Sequence, residues 1–180
     1  MIFNKTELQG AYIIDVMRIE DERGFFGRSY CKEEFEAHGL NTNIMQANVS
    51  YNKVKGTLRG MHMQLSPYEE SKLVRCTQGS IFDVIVDMRT HSPTFKRWIG
   101  VELSANNYKM LYVPEGFAHG FITLEDNTHV TYQVTQAYTP SAERGYRWDD
   151  PAFNIKWPFD PFVISEKDKA HSLFEAEELV

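Results

Sequence analysis

The chain lacks any apolar run long enough to cross a bilayer. A spanning helix needs about 20 predominantly apolar residues, and the longest apolar stretches, around Ile81–Val86 and Met110–Val113, are far shorter. The opening residues, Met1 to Glu7, contain no apolar core of the kind a secretory signal requires, so a cytoplasmic protein with no membrane partner is expected. Cysteine is scarce. Cys31 and Cys76 lie in separate segments and form no CxxC pair, so two reduced thiols are expected. Positive charge is short as well. A formal net charge of −6 excludes a general nucleic-acid binder, although a local group of arginines can still hold a small anion. No repeat, low-complexity tract or linker interrupts residues 1–180, so a single domain is expected.

What is present is a period of two. Phe82, Val84 and Val86 alternate with Ile81, Asp83, Ile85 and Asp87, as in a strand whose two faces are used differently. Similar runs occupy Ala11–Ile19, Asn43–Tyr51, Lys72–Thr77, Arg97–Leu103, Lys109–Val113 and Thr128–Thr135, separated by turn formers such as Gly56, Gly79, Ser92-Pro93 and Asn106-Asn107. Many short strands at this spacing predict an all-β sandwich or barrel. One helix is expected at Lys32–His38, stopped by Gly39, and a second short one in the charged tail from Glu166 to Val180.

Two histidines carry the chemistry. His62 lies in Gly56-Thr57-Leu58-Arg59-Gly60-Met61-His62-Met63-Gln64, and His119 follows the Pro114-Glu115-Gly116 turn. In a regular strand Arg59 and His62 would face opposite ways, but Gly60 permits a bulge that re-aims one of them. The two segments echo the histidine-bearing strands of cupin barrels. A metal-binding cupin would offer HxH, a glutamate and a third histidine. Here Gln64 stands in the second histidine's place, and Glu69 and Glu70 fall in a turn where a solvated role is simplest. With no dependable third ligand, neither metal nor cofactor is expected. A histidine that is not a ligand can serve as a base near neutral pH, oriented by a carboxylate such as Asp83 or Asp168. Asp83 falls between Ile81 and Ile85 on one face, so a buried partner is expected, either Lys72 or one of the histidines.

The chain resembles the dTDP-4-dehydrorhamnose 3,5-epimerase family along nearly its whole length. The matching motifs include Asp21-Glu22-Arg23-Gly24-Phe25-Phe26, the His62 segment, Lys72-Leu73-Val74-Arg75, the Gly79 to Asp87 stretch and Ser92-Pro93-Thr94-Phe95. They continue through Pro114 to Phe121, Tyr132, Tyr138, Trp148-Asp149-Asp150-Pro151 and Ser165-Glu166-Lys167-Asp168. The resemblance implies a cupin-type antiparallel jelly roll with a few short helices, metal-free and homodimeric, in which the Arg23–Tyr30 segment adds to the partner's sheet. Its implied substrate is a nucleoside-diphosphate-linked 4-keto-6-deoxyhexose, inverted at carbon 3, carbon 5 or both. By the same resemblance His62 is the base, Asp168 its orienting carboxylate, Tyr132 the acid and Lys72 the cation beside the enolate oxygen. Arg23 and Arg59 are assigned to the diphosphate. Phe26, Gln46, Asn48, His119, Tyr138, Glu143 and Lys167 match other ligand-contacting positions, with Asp83 behind them. Arg28 departs from the family, which carries glutamate there at the nucleotide end. Arginine offers only donors, so it cannot accept the N–H of thymine. Either selectivity for thymine weakens, or Arg28 turns aside to phosphate or to a carboxylate such as Glu22. The alternatives that remain are a single-centre epimerase on another nucleotide sugar and, less favoured, a metal-dependent cupin.

Overall fold

A computed structural model describes residues 1–175. Fourteen strands run β1 Ile2–Lys5, β2 Tyr12–Asp15, β3 Ile19–Asp21, β4 Gly24–Phe26, β5 Gln46–Asn52, β6 Thr57–Gln64 and β7 Lys72–Gln78. They continue as β8 Ser80–Asp87, β9 Trp98–Ser104, β10 Met110–Val113, β11 Phe117–Thr123, β12 Thr128–Val134, β13 Glu143–Gly145 and β14 Val163–Ile164. Among the described residues only two α-helices interrupt them, α1 Lys32–Ala37 and α2 Glu166–Lys169. The expected helix at Lys32 is therefore present; it ends at Ala37, is capped by His38, and is followed by Gly39, whose φ of +70° suits glycine. The tail helix is shorter than the charged segment, and residues 176–180 lie outside the described part. Among the described residues no helix is long and apolar enough to cross a membrane.

The strands form two main sheets. One is ordered β1-β2-β10-β7-β12-β5, the other β13-β6-β11-β8-β9, and β14 pairs with β6 in parallel, the only such pairing among the described residues. This is the jelly roll that the alternation and the resemblance imply. The sheets meet face to face over Val74, Leu111 and Val130 from the first and Ile81, Ile85, Leu103 and Phe121 from the second. Each such side chain, fully buried, contributes about 1.5–3 kcal/mol of transfer free energy.

The outer face of the second sheet is covered too. Met61, Met63, Val84 and Val86 pack there beneath Tyr146, Phe153 and Trp157. That second layer explains why β8 is buried on both faces and β11 at every position. On the first sheet, α1 lays Phe35 against Ile14, Met110 and Tyr112. The motif Ser92-Pro93-Thr94 has a structural use: Asp87 accepts hydrogen bonds from Ser92, Thr94 and Arg89. Burial opposes ionisation, yet these donors outweigh it and draw the Asp87 carboxyl down to about 2. β3 and β4 form a separate hairpin that joins neither main sheet.

Candidate active site

Gly60 sets the geometry of β6. Its φ of +131° is closed to other residues, and a Cβ there would lie 2.5 Å from the Cα of Gly120. The pairing of β6 with β11 slips between His119 and Phe121, a bulge that turns both Arg59 and His62 towards one cleft. Met61, between them, is driven into the outer apolar layer.

The cleft has a volume of about 540 Å³ and lies between the two sheets. The second sheet supplies Arg59, His62 and His119, while the first supplies Lys72 from β7 and Tyr132 from β12. An adjoining space of about 480 Å³ shares His62, Lys72 and Tyr132 and adds Gln46, Asn48, Glu70, Tyr138 and Glu143.

Two histidine–carboxylate pairs stand side by side, because His119 is directly opposite His62 across the strand pair. His62 Nε2 lies 2.6 Å from Asp168 Oδ1. β14 runs parallel to the start of β6 and delivers Ser165, the N-cap of α2, whose Oγ accepts from Asp168 N. Burial alone would raise the Asp168 pKa. The hydrogen bond and charge of His62, the Ser165 contact and a backbone bond from Gly60 outweigh it and hold the carboxyl below its ordinary value. Donation through Nε2 leaves Nδ1 as the nitrogen with a lone pair. His119 Nε2 lies 2.8 Å from Asp83 Oδ1. Of the two partners expected for Asp83, the histidine is the one found, and it is His119. The two imidazoles differ in access: the side chain of His62 is 31% exposed and that of His119 10%.

Lys72 is buried, with Nζ 3.1 Å from Glu70 Oε1. Glu70, read from sequence as a solvated turn residue, is instead largely buried beside the cleft. The missed signal was the spacing: two residues apart in an extended segment share a face. Burial, followed by the charge of Glu70, raises the Tyr132 pKa, so this phenol keeps its proton at neutral pH. Arg59 is held by Asn52, with Nε 2.8 Å from Oδ1. Gln64 binds the carbonyls of Tyr68 and Ala137 and accepts from Thr139 N, so it pins the loop beside the cleft. Glu143 accepts from Tyr138 and from Lys167 of α2, which itself lines neither space.

Three expected ligand residues stand elsewhere within one chain. Arg23 is 84% exposed and pairs with Asp21 in its own hairpin, and Phe26 is 72% exposed. Arg28 binds a carboxylate, but the partner is Glu34 at 2.8 Å rather than Glu22, because α1 begins four residues later and turns Glu34 back towards it. None of the three lines the cleft. One further residue gave no sequence signal: His171 reaches the dyad from beyond α2, with Nε2 3.5 Å from Asp168 Oδ1. Burial first, then the neighbouring His62, lowers its pKa.

The sequence profile of dTDP-4-dehydrorhamnose 3,5-epimerases matches residues 5–176. An enzyme of that name from Shigella flexneri is 46% identical over 165 residues, 91% of each chain. One from Methanothermobacter thermautotrophicus is 44% identical over 170 residues, covering 93% of this chain and 91% of its own. The crystal structure of the Bacillus anthracis enzyme with TDP and pyrophosphate bound is similar, with a TM-score of 0.92 and 42% identity over 96% of this chain and 99% of that one. The Legionella pneumophila enzyme in complex with dTDP-4-keto-L-rhamnose gives a TM-score of 0.90 and 38% identity over 99% and 96%. With the profile matching residues 5–176 and these relatives covering most of its length, the chain belongs to the dTDP-4-dehydrorhamnose 3,5-epimerase family.

Proposed function

We propose that this epimerase converts dTDP-4-dehydro-6-deoxyglucose to dTDP-4-dehydrorhamnose by inverting carbons 3 and 5. The observation that carries the reading is the placement of His62 and Tyr132 on opposite sheets of one cleft. A sugar ring held between them meets an imidazole on one side and a phenol on the other.

The carbon-4 ketone acidifies the protons on both neighbouring carbons. His62 Nδ1 takes one, and the resulting imidazolium is stabilised by the Asp168 carboxylate. Charge moves onto the ketone oxygen, where the Lys72 ammonium supplies fixed positive charge, a contact worth about 3–4 kcal/mol in comparable sites. Tyr132 then delivers a proton from the opposite face, and the centre is inverted. Arg59 suits the diphosphate. No step calls for a metal, so turnover is expected to persist in EDTA. Proton couplings of the product, read by NMR, report the configuration at both carbons. Loss of turnover on chelation, restored by one divalent ion, would overturn His62 as a free base.

Arg23 and Phe26 enter this scheme through a second copy. β5 is an edge strand with Val49 and Tyr51 exposed on it, and Ile19 and Phe26 are exposed on the hairpin. An uncovered apolar edge favours pairing, and Val49, Ser50 and Tyr51 line the cleft. A hairpin of a second copy laid on β5 therefore brings an Arg23 and a Phe26 to the nucleotide end. With Arg28 already paired to Glu34, the base is read by other groups, and thymine is retained. Sedimentation at micromolar concentration is expected to give a dimer; a monomer there contradicts this part of the scheme.

A further inference from the structure

His171 has no part in the chemistry above, yet the fold makes room for it. Gly145 sits opposite His62 on β13, and a Cβ at that position would lie 2.1 Å from His171 Cε1. The His171 side chain is 15% exposed and its ring centroid lies 5.7 Å from that of His62, edge to face. Its Nε2 is buried and makes no hydrogen bond, stopping 3.5 Å short of Asp168 Oδ1, too long for a well-formed bond.

One ligand atom from each of His62, Asp168 and His171 lies within 4.8 Å of the others. Four-coordinate zinc, with bonds of about 2.0–2.2 Å, spaces its ligand atoms by roughly 3.3–3.5 Å. The contact between His171 and Asp168 already has that spacing. The 2.6 Å contact between His62 and Asp168 would have to open by about 0.8 Å to reach it. Two imidazoles and a carboxylate suit zinc and its transition-metal neighbours, whereas magnesium and calcium favour oxygen alone. The metal would lie on the Nε2 side of His62, behind the ring edge that meets the sugar.

We propose that His62, Asp168 and His171 form an inhibitory site for a divalent transition metal, with zinc as the ion of choice. Coordination takes the lone pair of His62 Nε2, so the proton that Nε2 carried moves to Nδ1. The nitrogen facing the sugar then bears hydrogen and cannot accept another. The enzyme works without metal, and zinc stops it by fixing the wrong tautomer of its base. The inhibition rests on the function proposed above; the binding does not.

The test uses the full chain, with zinc chloride titrated in a calorimeter and into the epimerisation assay, and magnesium chloride as control. Wild type should bind zinc at micromolar concentration or tighter and lose turnover in step with occupancy, while magnesium has no effect. His171→Ala, and His171→Phe, which keeps a packed ring, should retain metal-free turnover and bind zinc about 100-fold more weakly. Cobalt should give the visible absorption of a four-coordinate ion in wild type and not in either variant. Zinc affinity in the millimolar range, or affinity unchanged in both variants, overturns the proposal. Binding that depends on His171 but leaves turnover intact upholds the site and instead removes His62 from the role of base.

Discussion

His62→Ala is expected to abolish exchange of the sugar's carbon-3 and carbon-5 protons with solvent, lowering turnover by about a thousandfold or more. That corresponds to about 4 kcal/mol of transition-state stabilisation. The expectation rests on access and orientation. His62 is the more exposed of the two cleft imidazoles, and its Nε2 is committed to Asp168, which leaves Nδ1 for the substrate. His119 lies deeper and is tied to Asp83. Replacing His62 also strands the Asp168 carboxylate, so thermal unfolding of the variant is needed as a control for folding. Exchange within tenfold of wild type, in a folded variant, contradicts the assignment.

Tyr132→Phe separates proton removal from proton delivery. The phenyl ring fills the same space against the inner core, so the cleft keeps its shape. Deuterium should still enter the sugar, because His62, Asp168 and Lys72 are intact. Inverted product should fall by about a hundredfold, since Tyr51, the other phenol of the first sheet in this cleft, already donates its hydrogen to Asn127 Oδ1. Burial and Glu70 keep the Tyr132 phenol protonated, so the wild-type acid is available throughout the neutral range. Equal loss of exchange and inversion would mean that Tyr132 acts in binding or in proton removal.

How much of this was legible depended on how local the cause was. β8 was readable because Phe82, Val84 and Val86 alternate with Ile81, Asp83, Ile85 and Asp87, and α1 because glycine follows it. The bulge at Gly60 was readable because only glycine permits it. The cover over the outer face was not, since Tyr146, Phe153 and Trp157 come from irregular chain with no period. The pairing of His62 with Asp168 spans 106 residues, and no spacing rule reaches that far; only the family resemblance supplied it. Glu70 was misjudged because turn residues are usually solvated, whereas this turn folds inward on Lys72. Arg23, Phe26 and Arg28 illustrate the opposite limit. Their motif is plain in sequence, but one chain alone does not bring them to the cleft.

The central claim is that His62 and Tyr132 exchange sugar protons from opposite faces without a metal. It is tested most directly by incubating the wild-type protein with dTDP-4-dehydro-6-deoxyglucose in heavy water containing EDTA. The account predicts product inverted at both carbons, with deuterium at carbon 3 and carbon 5 by NMR. Inverted product that retains its original protium at either carbon would contradict it.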